Sequence, residues 1–361
     1  MGKKLRQPLL AFCVCLLAFT STAEVFCVSN TAELETALTT AGTNFESDEI
    51  RMSQGTYHNG ISGFSYQSTQ TLDLTITGGW ASVNGNCIVQ NTSPYLSVFD
   101  GNLIGPNLSI NTAIGGNITI NNVSFINGFG SGLARGVGLL IDSQGGTVMI
   151  EGNVFTNNRS TFCSAMCLTS RNETTVRNNV FAENNVVTGT GSIHIDNFAR
   201  GVYFINNTVI NNTTSSTLLD AYAGLEIDIR GGWPAFIANN ILWNNFNGDV
   251  VVREELGFPS IFYLYSNNFL VSRGSYDFID GNLSEDPLLE GSNFFNYSPS
   301  LASQMRNAGR MMPTDNMPGF ENGWSHGLFD LIGTARIQDR FVDIGAREAT
   351  PEAPIFKDGF E

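Results

Sequence analysis

The segment RNNVF at residues 177–181 decides the fold, because related segments recur along the chain. Each member places an asparagine before β-branched or aromatic residues. The set comprises INNVSF (120–125), EGNVF (151–155), RNNVF (177–181), INNTV (205–209), ANNIL (238–242) and SNNFL (266–270). The aligned asparagines, Asn122, Asn153, Asn179, Asn207, Asn240 and Asn268, are 31, 26, 28, 33 and 28 residues apart. A period of this size indicates a repeated structural unit that stacks on its neighbours.

A second short strand precedes each of the last five segments. These strands are GLLID (138–142), AMCLT (165–169), SIHID (192–196), GLEID (224–228) and DVVVR (249–253). No helical pattern lies between the strands, so we expect an all-β fold, a right-handed parallel β-helix in which each turn pairs with the turn below. A propeller would need about 40 residues per blade, and a leucine-rich repeat would show spaced leucines.

Stacking the turns predicts which side chains face the core, because alternate residues of a strand point to opposite sides. Two apolar columns face inward: Leu139, Met166, Ile193, Leu225 and Val250, then Ile141, Leu168, Ile195, Ile227 and Val252. We expect Asn153, Asn179, Asn207 and Asn240 to form a ladder of bonded side-chain amides. A second row of asparagines is predicted at Asn157, Asn184, Asn211 and Asn244.

The two ends of the chain differ from the repeats. SNTAELETALTTAG (29–42) has Leu34 and Leu38 on one face and Asn30 with Glu33 at its start, which predicts a helix that caps the first coil. Residues 1–23 combine a basic start, an apolar run and small residues before Glu24, the pattern of a secretory signal peptide. We therefore divide the chain into a signal peptide (1–23), a β-helix domain (24–348), and a Pro-rich linker and tail (349–361).

Charge and hydropathy argue against nucleic acid as a partner and against a membrane-spanning helix. The net charge of the chain is −15, and without residues 1–23 it is −18, from 15 basic and 33 acidic residues. Such a chain does not attract nucleic acid by bulk charge. No run after the signal reaches the roughly 18 apolar residues of a membrane-spanning helix. We expect an exported monomer that is either secreted or associated with the cell surface or outer membrane.

Four cysteines follow the signal segment: Cys27, Cys87, Cys163 and Cys167. An even count in an exported chain predicts two disulfides, for which three pairings exist. We favour Cys27–Cys87 with Cys163–Cys167, since the first bridge would tie the N-terminal segment to the body. No histidine lies near these cysteines in sequence, which disfavours a zinc site.

Several segments resemble the bacterial exported right-handed parallel β-helix proteins of the pectate-lyase-like superfamily, in the group with a choice-of-anchor C-terminal region. The matching segments are TAELETAL (31–38), DEIRMSQGTY (48–57), LTITGGW (74–80), EDPLLE (285–290), DLIGTAR (330–336) and VDIGARE (342–348). Arg347 departs from the family, which more often has an aromatic residue there. The resemblance implies the fold, but this fold carries lyases, hydrolases, adhesins and inert passengers. The NTD, GHG and RIK motifs of pectin hydrolases are missing from the sequence.

The outward columns contain the candidate site. Stacking SIHID on GLEID puts His194 beside Glu226 and Asp196 beside Asp228. A neighbouring glutamate favours the charged form of histidine, and paired carboxylates with a histidine suit acid–base cleavage of a glycosidic bond. The same acidic side chains could hold Ca²⁺. Alternatively, they are a cross-strand pair on a wet sheet face that contributes a few tenths of a kcal/mol.

Two functional hypotheses follow. The first is an exported surface or secreted protein that contacts polysaccharide or cell-surface glycans without catalysis. The second is a polysaccharide lyase or glycoside hydrolase that uses His194, Asp196, Glu226 and Asp228. We favour the first hypothesis and keep the second as the alternative. If loops 127–137 and 211–223 lie far from the His194 face, that face has no walls and the enzyme hypothesis is weakened.

Overall fold

The computed structural model describes residues 23–188, 191–217, 221–255, 257–290, 296–311, 325–338 and 340–349. Nearly all of the predicted signal peptide and of the predicted C-terminal tail lies outside these ranges, so both boundaries stay predictions. Among the described residues, no helix is long and apolar enough to cross a membrane.

The described residues of the first half contain one α-helix and short strands. In chain order they are β1 Glu24–Val28, α1 Thr31–Ala41, β2 Asp48–Ser53, β3 Gly55–Tyr57, β4 Phe64–Ser68, β5 Leu74–Val83, β6 Asn86–Gln90, a 3₁₀ helix Pro94–Leu96, β7 Ser97–Asp100, β8 Leu108–Thr112, β9 Ile118–Asn121, β10 Ser124–Ile126, β11 Leu139–Ser143, β12 Val148–Glu151, β13 Val154–Thr156 and β14 Arg159–Ser160. The predicted helix is confirmed, and the Asn30 side chain accepts a hydrogen bond from the Glu33 N–H at its first turn.

The second half continues the same pattern. It contains β15 Met166–Ser170, β16 Thr174–Arg177, β17 Val180–Ala182, β18 Asn185–Val186, β19 Ile193–Asn197, β20 Val202–Ile205, β21 Thr208–Ile210, β22 Thr213–Thr214, β23 Leu225–Ile229, β24 Pro234–Ala238, β25 Ile241–Trp243, β26 Val250–Glu254, β27 Ile261–Tyr265, β28 Asn268–Phe269, β29 Ser272–Arg273 and β30 Phe278–Asp280.

The strands stack into three long parallel sheets, as expected for a parallel β-helix. Sheet A contains β1, β2, β5, β9, β12, β16, β20, β24, β27 and β30, with β6 antiparallel to β5. Sheet B contains β3, β7, β10, β13, β17, β21, β25 and β28, and sheet C contains β4, β8, β11, β15, β19, β23, β26 and β29. A small fourth sheet contains β14, β18 and β22. A complete turn therefore has one strand in each of C, A and B.

The repeated asparagine segment is not one strand. It ends a sheet A strand, turns a corner and begins a sheet B strand. The residue before each ladder asparagine has a positive φ, +58° at Asn178 and +53° at Asn206, which is the left-handed conformation that asparagine and glycine tolerate. At the Asn153 turn glycine takes this place, with φ +66° at Gly152.

The asparagine ladder runs along this corner through buried residues. Asn153 donates to Asn179 at 3.1 Å, Asn179 to Asn207 at 3.0 Å, and Asn207 to Asn240 at 3.1 Å. The Oδ1 atom of each acceptor also accepts the backbone N–H of the asparagine one turn before it. Each amide therefore satisfies backbone groups that the corner leaves outside the sheets.

The predicted alignment was wrong at both ends of the ladder. Asn122 occupies the left-handed corner position, and Val123 stands where a ladder asparagine would be, because Phe125 stacks on Phe155 at 4.8 Å and fixes the register. At the other end the ladder residue is Asn267, not Asn268, and it accepts from Asn240 at 2.8 Å. At the Asn122 end, the aromatic stack inside sheet B outweighs the local asparagine match.

The second predicted row was also displaced, in three of its four positions. The buried ladder at the next corner is Asn158, Asn184, Asn212 and Asn245, and it ends on Asp249. Asn157, Asn211 and Asn244 have positive φ and lie at the surface side of the corner. Adjacent asparagines therefore have different roles. The first takes the left-handed conformation that turns the chain, and the second forms the buried hydrogen bonds of the ladder.

The inward columns pair in the predicted register. Leu139, Met166, Ile193, Leu225 and Val250 are consecutive partners across sheet C. All five side chains are buried in the main hydrophobic core. Beside them, Phe99, Phe125, Phe155 and Phe181 of sheet B stack at 4.6–4.9 Å between ring centroids. Like residues one turn apart therefore make the core continuous.

The described C-terminal residues, 325–338 and 340–349, lie outside the coil against sheet B and the A–B corner. Arg336 is fully buried, pairs with Glu348 at 2.5 Å and donates to the Asn178 side chain at 2.6 Å. Leu331 and Ala346 cover Val180 and Ala182 on the outer face of sheet B. The motif residues Asp330 and Arg336 thus have a structural role.

Both favoured disulfide pairings are present. Cys27–Cys87 joins β1 to β6 with a Cα–Cα distance of 5.4 Å. Cys163–Cys167 joins the segment before β15 to the second residue of that strand, with a Cα–Cα distance of 5.5 Å.

Replacing Asn179 with alanine should lower the free energy of unfolding by about 2–5 kcal/mol, because several buried groups lose partners at about 1–3 kcal/mol each. Guanidinium unfolding followed by circular dichroism measures this loss. Asn185→Ala is the matched control: it removes two surface hydrogen bonds, one donated to Thr213 and one accepted from Ser215, and should cost about 0.5 kcal/mol or less. Equal losses in the two variants would contradict a stabilising ladder.

Candidate functional site

The candidate site lies on the outer face of sheet C. β19 pairs with β23 in the predicted register, with His194 opposite Glu226 and Asp196 opposite Asp228. The alternation of β19 sends Ile193 and Ile195 into the core, so His194 and Asp196 point outward. The four predicted side chains are therefore neighbours on two adjacent strands.

Glu226 is buried although it is on the outer face. Its side chain is 3% exposed. Its Oε2 lies 3.0 Å from His194 Nδ1, and its Oε1 lies 3.0 Å from Arg253 Nε. The Tyr222 hydroxyl donates a third hydrogen bond to this carboxylate. That hydroxyl in turn accepts from Arg253 Nη2 at 3.0 Å.

The His194–Glu226 contact sets the charge of both groups. Burial alone would lower the pKa of His194, but the hydrogen bond and negative charge of Glu226, with Asp228 and Asp196 nearby, outweigh it and raise that pKa. Burial alone would raise the pKa of Glu226, but His194, Tyr222 and Arg253 together lower it. The contact therefore favours the ionised form of Glu226 and the protonated form of His194.

Asp228 has a different environment. Its Oδ1 is buried and has no hydrogen-bond partner among the described residues. Burial and the adjacent Glu226 charge raise the pKa of Asp228. One carboxylate oxygen of Asp228, one of Glu226 and one ring nitrogen of His194 all lie within 4.8 Å of one another. Two neighbouring carboxyl groups thus have pKa values displaced in opposite directions, an arrangement used in acid–base catalysis.

Asp196 is engaged by an arginine. Arg230 donates to both of its carboxylate oxygens, at 2.8 and 3.0 Å. The Arg230 guanidinium also lies 4.7 Å from the Phe198 ring centroid, and Arg171 lies 4.8 Å from the same ring. These residues follow the ends of three adjacent sheet C strands and form one edge of the site.

The donor set does not fit Ca²⁺. This ion takes six to eight oxygen ligands. Glu226 already accepts from His194, Tyr222 and Arg253, and Asp196 accepts twice from Arg230. Asp228 is the carboxylate left with an unpartnered buried oxygen, and the nearby arginines supply the positive charge that an ion would bring. We therefore attribute any chemistry at this site to its side chains and not to a bound Ca²⁺ ion.

The loops that could form walls do reach the site. Tyr222, from the second of the two variable loops, contacts Glu226 and lies under Arg253 and Arg273, whose guanidinium carbons are 6.0 and 5.8 Å from its ring centroid. On the β15 side of His194, Gly136 of the first variable loop packs closely against Cys167. The bridge to Cys163 lies beside His194, since Cys167 pairs with it. The patch thus has a wall on one side.

Sequence reasoning missed Tyr222, Arg230 and Phe198. Extending the strand alignment by two residues would have found Phe198 and Arg230, since both occupy the turn after the strand. Tyr222 had no such signal, because it belongs to a loop whose length varies between repeats.

The other two histidines and Trp243 do not join this patch. His58 is a surface residue near the Asp100 carbonyl, at 3.0 Å. His326 is buried at the A–B corner, 3.0 Å from Asn206 Oδ1, where burial together with Arg336 and Arg177 lowers its pKa to about 3. Trp243 is a packing residue, and Trp324 lies outside the described residues.

Comparison of the chain with models of known protein families and with curated proteins gives no match. The fold and this site therefore carry the functional argument.

Because folding raises the pKa of His194, its pairing with Glu226 should contribute its full stabilisation below about pH 6.5, the ordinary histidine pKa. That contribution should be lost as pH rises through the pKa of His194 in the folded protein. Histidine ring signals in NMR titrations measure this directly, and His326, neutral down to low pH, serves as an internal reference. In Glu226→Gln the His194 pKa should fall. An unchanged value would show that Glu226 does not control His194.

Proposed function

We propose that this protein is exported and binds polysaccharide or cell-surface glycans along the outer face of sheet C. The observation that carries the proposal is a polar column along the helix axis on this face. The column consists of Asp142, Thr169, Asp196, Asp228 and Arg253. All five residues are at least partly exposed. Five rungs at about 4.8 Å spacing span roughly 19 Å, long enough for several sugar rings.

The outer faces of the other two long sheets are less suited to this role. On sheet B, the C-terminal residues Leu331 and Ala346 cover the later rungs. On sheet A, Tyr203, Phe236 and Tyr263 stack along the later rungs and are buried. Sheet C therefore offers the longest polar surface at which a chain-like ligand would meet the strands directly.

The chemistry of the column suits hydroxyl groups. Its carboxylates accept hydrogen bonds and the Arg253 guanidinium donates them, and a sugar hydroxyl does both. Asp196 with Arg230 and Glu226 with Arg253 balance charge locally, so the column does not need a strongly charged partner. Two disulfides are compatible with an exported protein.

Cleavage of the bound glycan is the second candidate function. One observation favours it over a plain polar surface: Glu226 is almost completely buried and bonded to a histidine, a tyrosine and an arginine. Burying a carboxylate is costly unless every partner is in place, and such arrangements concentrate at functional sites.

Lengthening a side chain in the middle of the column should block glycan binding. Thr169→Met places a longer side chain between Asp142 and Asp196, and we expect at least a tenfold loss of affinity, about 1.4 kcal/mol. Affinity electrophoresis against plant, algal and bacterial polysaccharides identifies a retained glycan, and calorimetry with it gives the dissociation constants.

Thr175→Met is the matched control, because Thr175 also points outward from the middle of the adjacent strand β16 but lies on sheet A. Unfolding midpoints of both variants establish that folding is unchanged. Equal affinities of the two variants, or retention of no glycan by the wild type, would refute binding at sheet C.

A further inference from the structure

We infer that His194 and Asp228 form a catalytic centre that hydrolyses a glycosidic bond with retention of configuration, and that Glu226 positions His194. This inference rests on the proposed glycan binding at sheet C. Asp228 is the nucleophile, and His194 is the proton donor and acceptor.

The spacing favours a covalent route. In glycosidases that invert configuration the two carboxyl groups stand about 6.5–9.5 Å apart, which leaves room for a water molecule, whereas retaining enzymes have about 5–5.5 Å. Here one ring nitrogen of His194 and one carboxylate oxygen of Asp228 lie within 4.8 Å. His194 takes the place of one carboxyl group. This separation is closer to the retaining spacing than to the inverting one, so Asp228 itself would attack the sugar.

Glu226 has the features of a positioning group. Its carboxylate engages His194 Nδ1 at 3.0 Å, which directs the other ring nitrogen away from the buried side. Arg253 and Tyr222 hold the same carboxylate, so it cannot swing towards a ligand. The His194 side chain is 24% exposed and Glu226 only 3%, so a substrate would meet the histidine first. A buried carboxylate that orients a histidine recurs in acid–base sites.

Asp228 has the features of a nucleophile. It is partly exposed, and its buried oxygen accepts no hydrogen bond from the described residues, unlike either carboxylate beside it. Its raised pKa makes the ionised carboxylate more basic, and the raised pKa of His194 favours the protonated ring needed at the first step.

The reaction balances in two steps. First, an Asp228 oxygen bonds to the anomeric carbon while the bond from that carbon to the leaving oxygen breaks, and His194 gives its proton to the leaving oxygen. This yields one free sugar end, a glycosyl ester on Asp228 and a neutral His194. Then His194 takes a proton from water, the water oxygen bonds to the anomeric carbon, and the ester bond breaks. One water is consumed, and both side chains return to their initial charge.

The test uses the full-length protein and the polysaccharide that affinity electrophoresis shows to be retained. Reducing-end assays give the rate, and proton NMR of the first products gives their anomeric configuration. We expect retention. Asp228→Asn and His194→Gln should each lose about 10²–10⁴-fold in rate while still binding the polysaccharide. In Glu226→Gln the alkaline limb of the rate profile should move to lower pH, since the His194 pKa falls.

Asp228→Gly with sodium azide provides a readout that a structural defect would not give. Azide would replace the missing carboxylate, restore turnover and yield a glycosyl azide of inverted configuration. Glu173→Gln, in the turn between β15 and β16, is the control and should keep the wild-type rate.

Inverted products or unsaturated ends from the wild type, full activity of Asp228→Asn, or absence of cleavage by the wild type would each overturn the inference. Retention of the polysaccharide in the gel would still support glycan binding in all of these cases. Loss of both binding and cleavage in the wild type would overturn both proposals.

Discussion

The need to satisfy backbone groups at the corners of the coil governs this structure. Strands in a parallel sheet bond to their neighbours, but a residue at a corner leaves the sheet and loses that partner. Asn179 and Asn207 meet this need by accepting the backbone N–H of the preceding turn and donating to the next amide. Because the amides bond only in one alignment, they also fix how each turn sits on the one below.

That alignment carries through to the outer face. Once the corners and the aromatic stack set the register, Ile193 must lie on Leu225, and His194 must therefore lie on Glu226. A shift by one residue would exchange the inner and outer faces. The candidate site thus depends on residues at the corners that never touch it, and the polar column of sheet C is a consequence of core packing.

The electrostatics of the site depend on what covers it. On an open sheet face, a histidine beside a glutamate would be a weak surface pair. Here Tyr222 and Arg253 close over Glu226 and leave His194 as the exposed partner. The covered carboxylate of Glu226 then interacts with His194 and not with solvent. The loop that carries Tyr222 thus buries Glu226 and leaves Asp228 the more accessible carboxylate, so the two groups have different roles.

The sequence by itself determined the coil, the inward columns, the ladder from Asn153 to Asn240 and the pairing of His194 with Glu226, because a strict repeat converts spacing into position. It did not place Asn122 or Asn268, because adjacent asparagines are equivalent until a core ring such as Phe125 selects one. Only the tertiary structure decided that Tyr222 covers Glu226. The reason is physical: loops outside the repeat follow no period, and their side chains are positioned by contacts that form once the coil has folded.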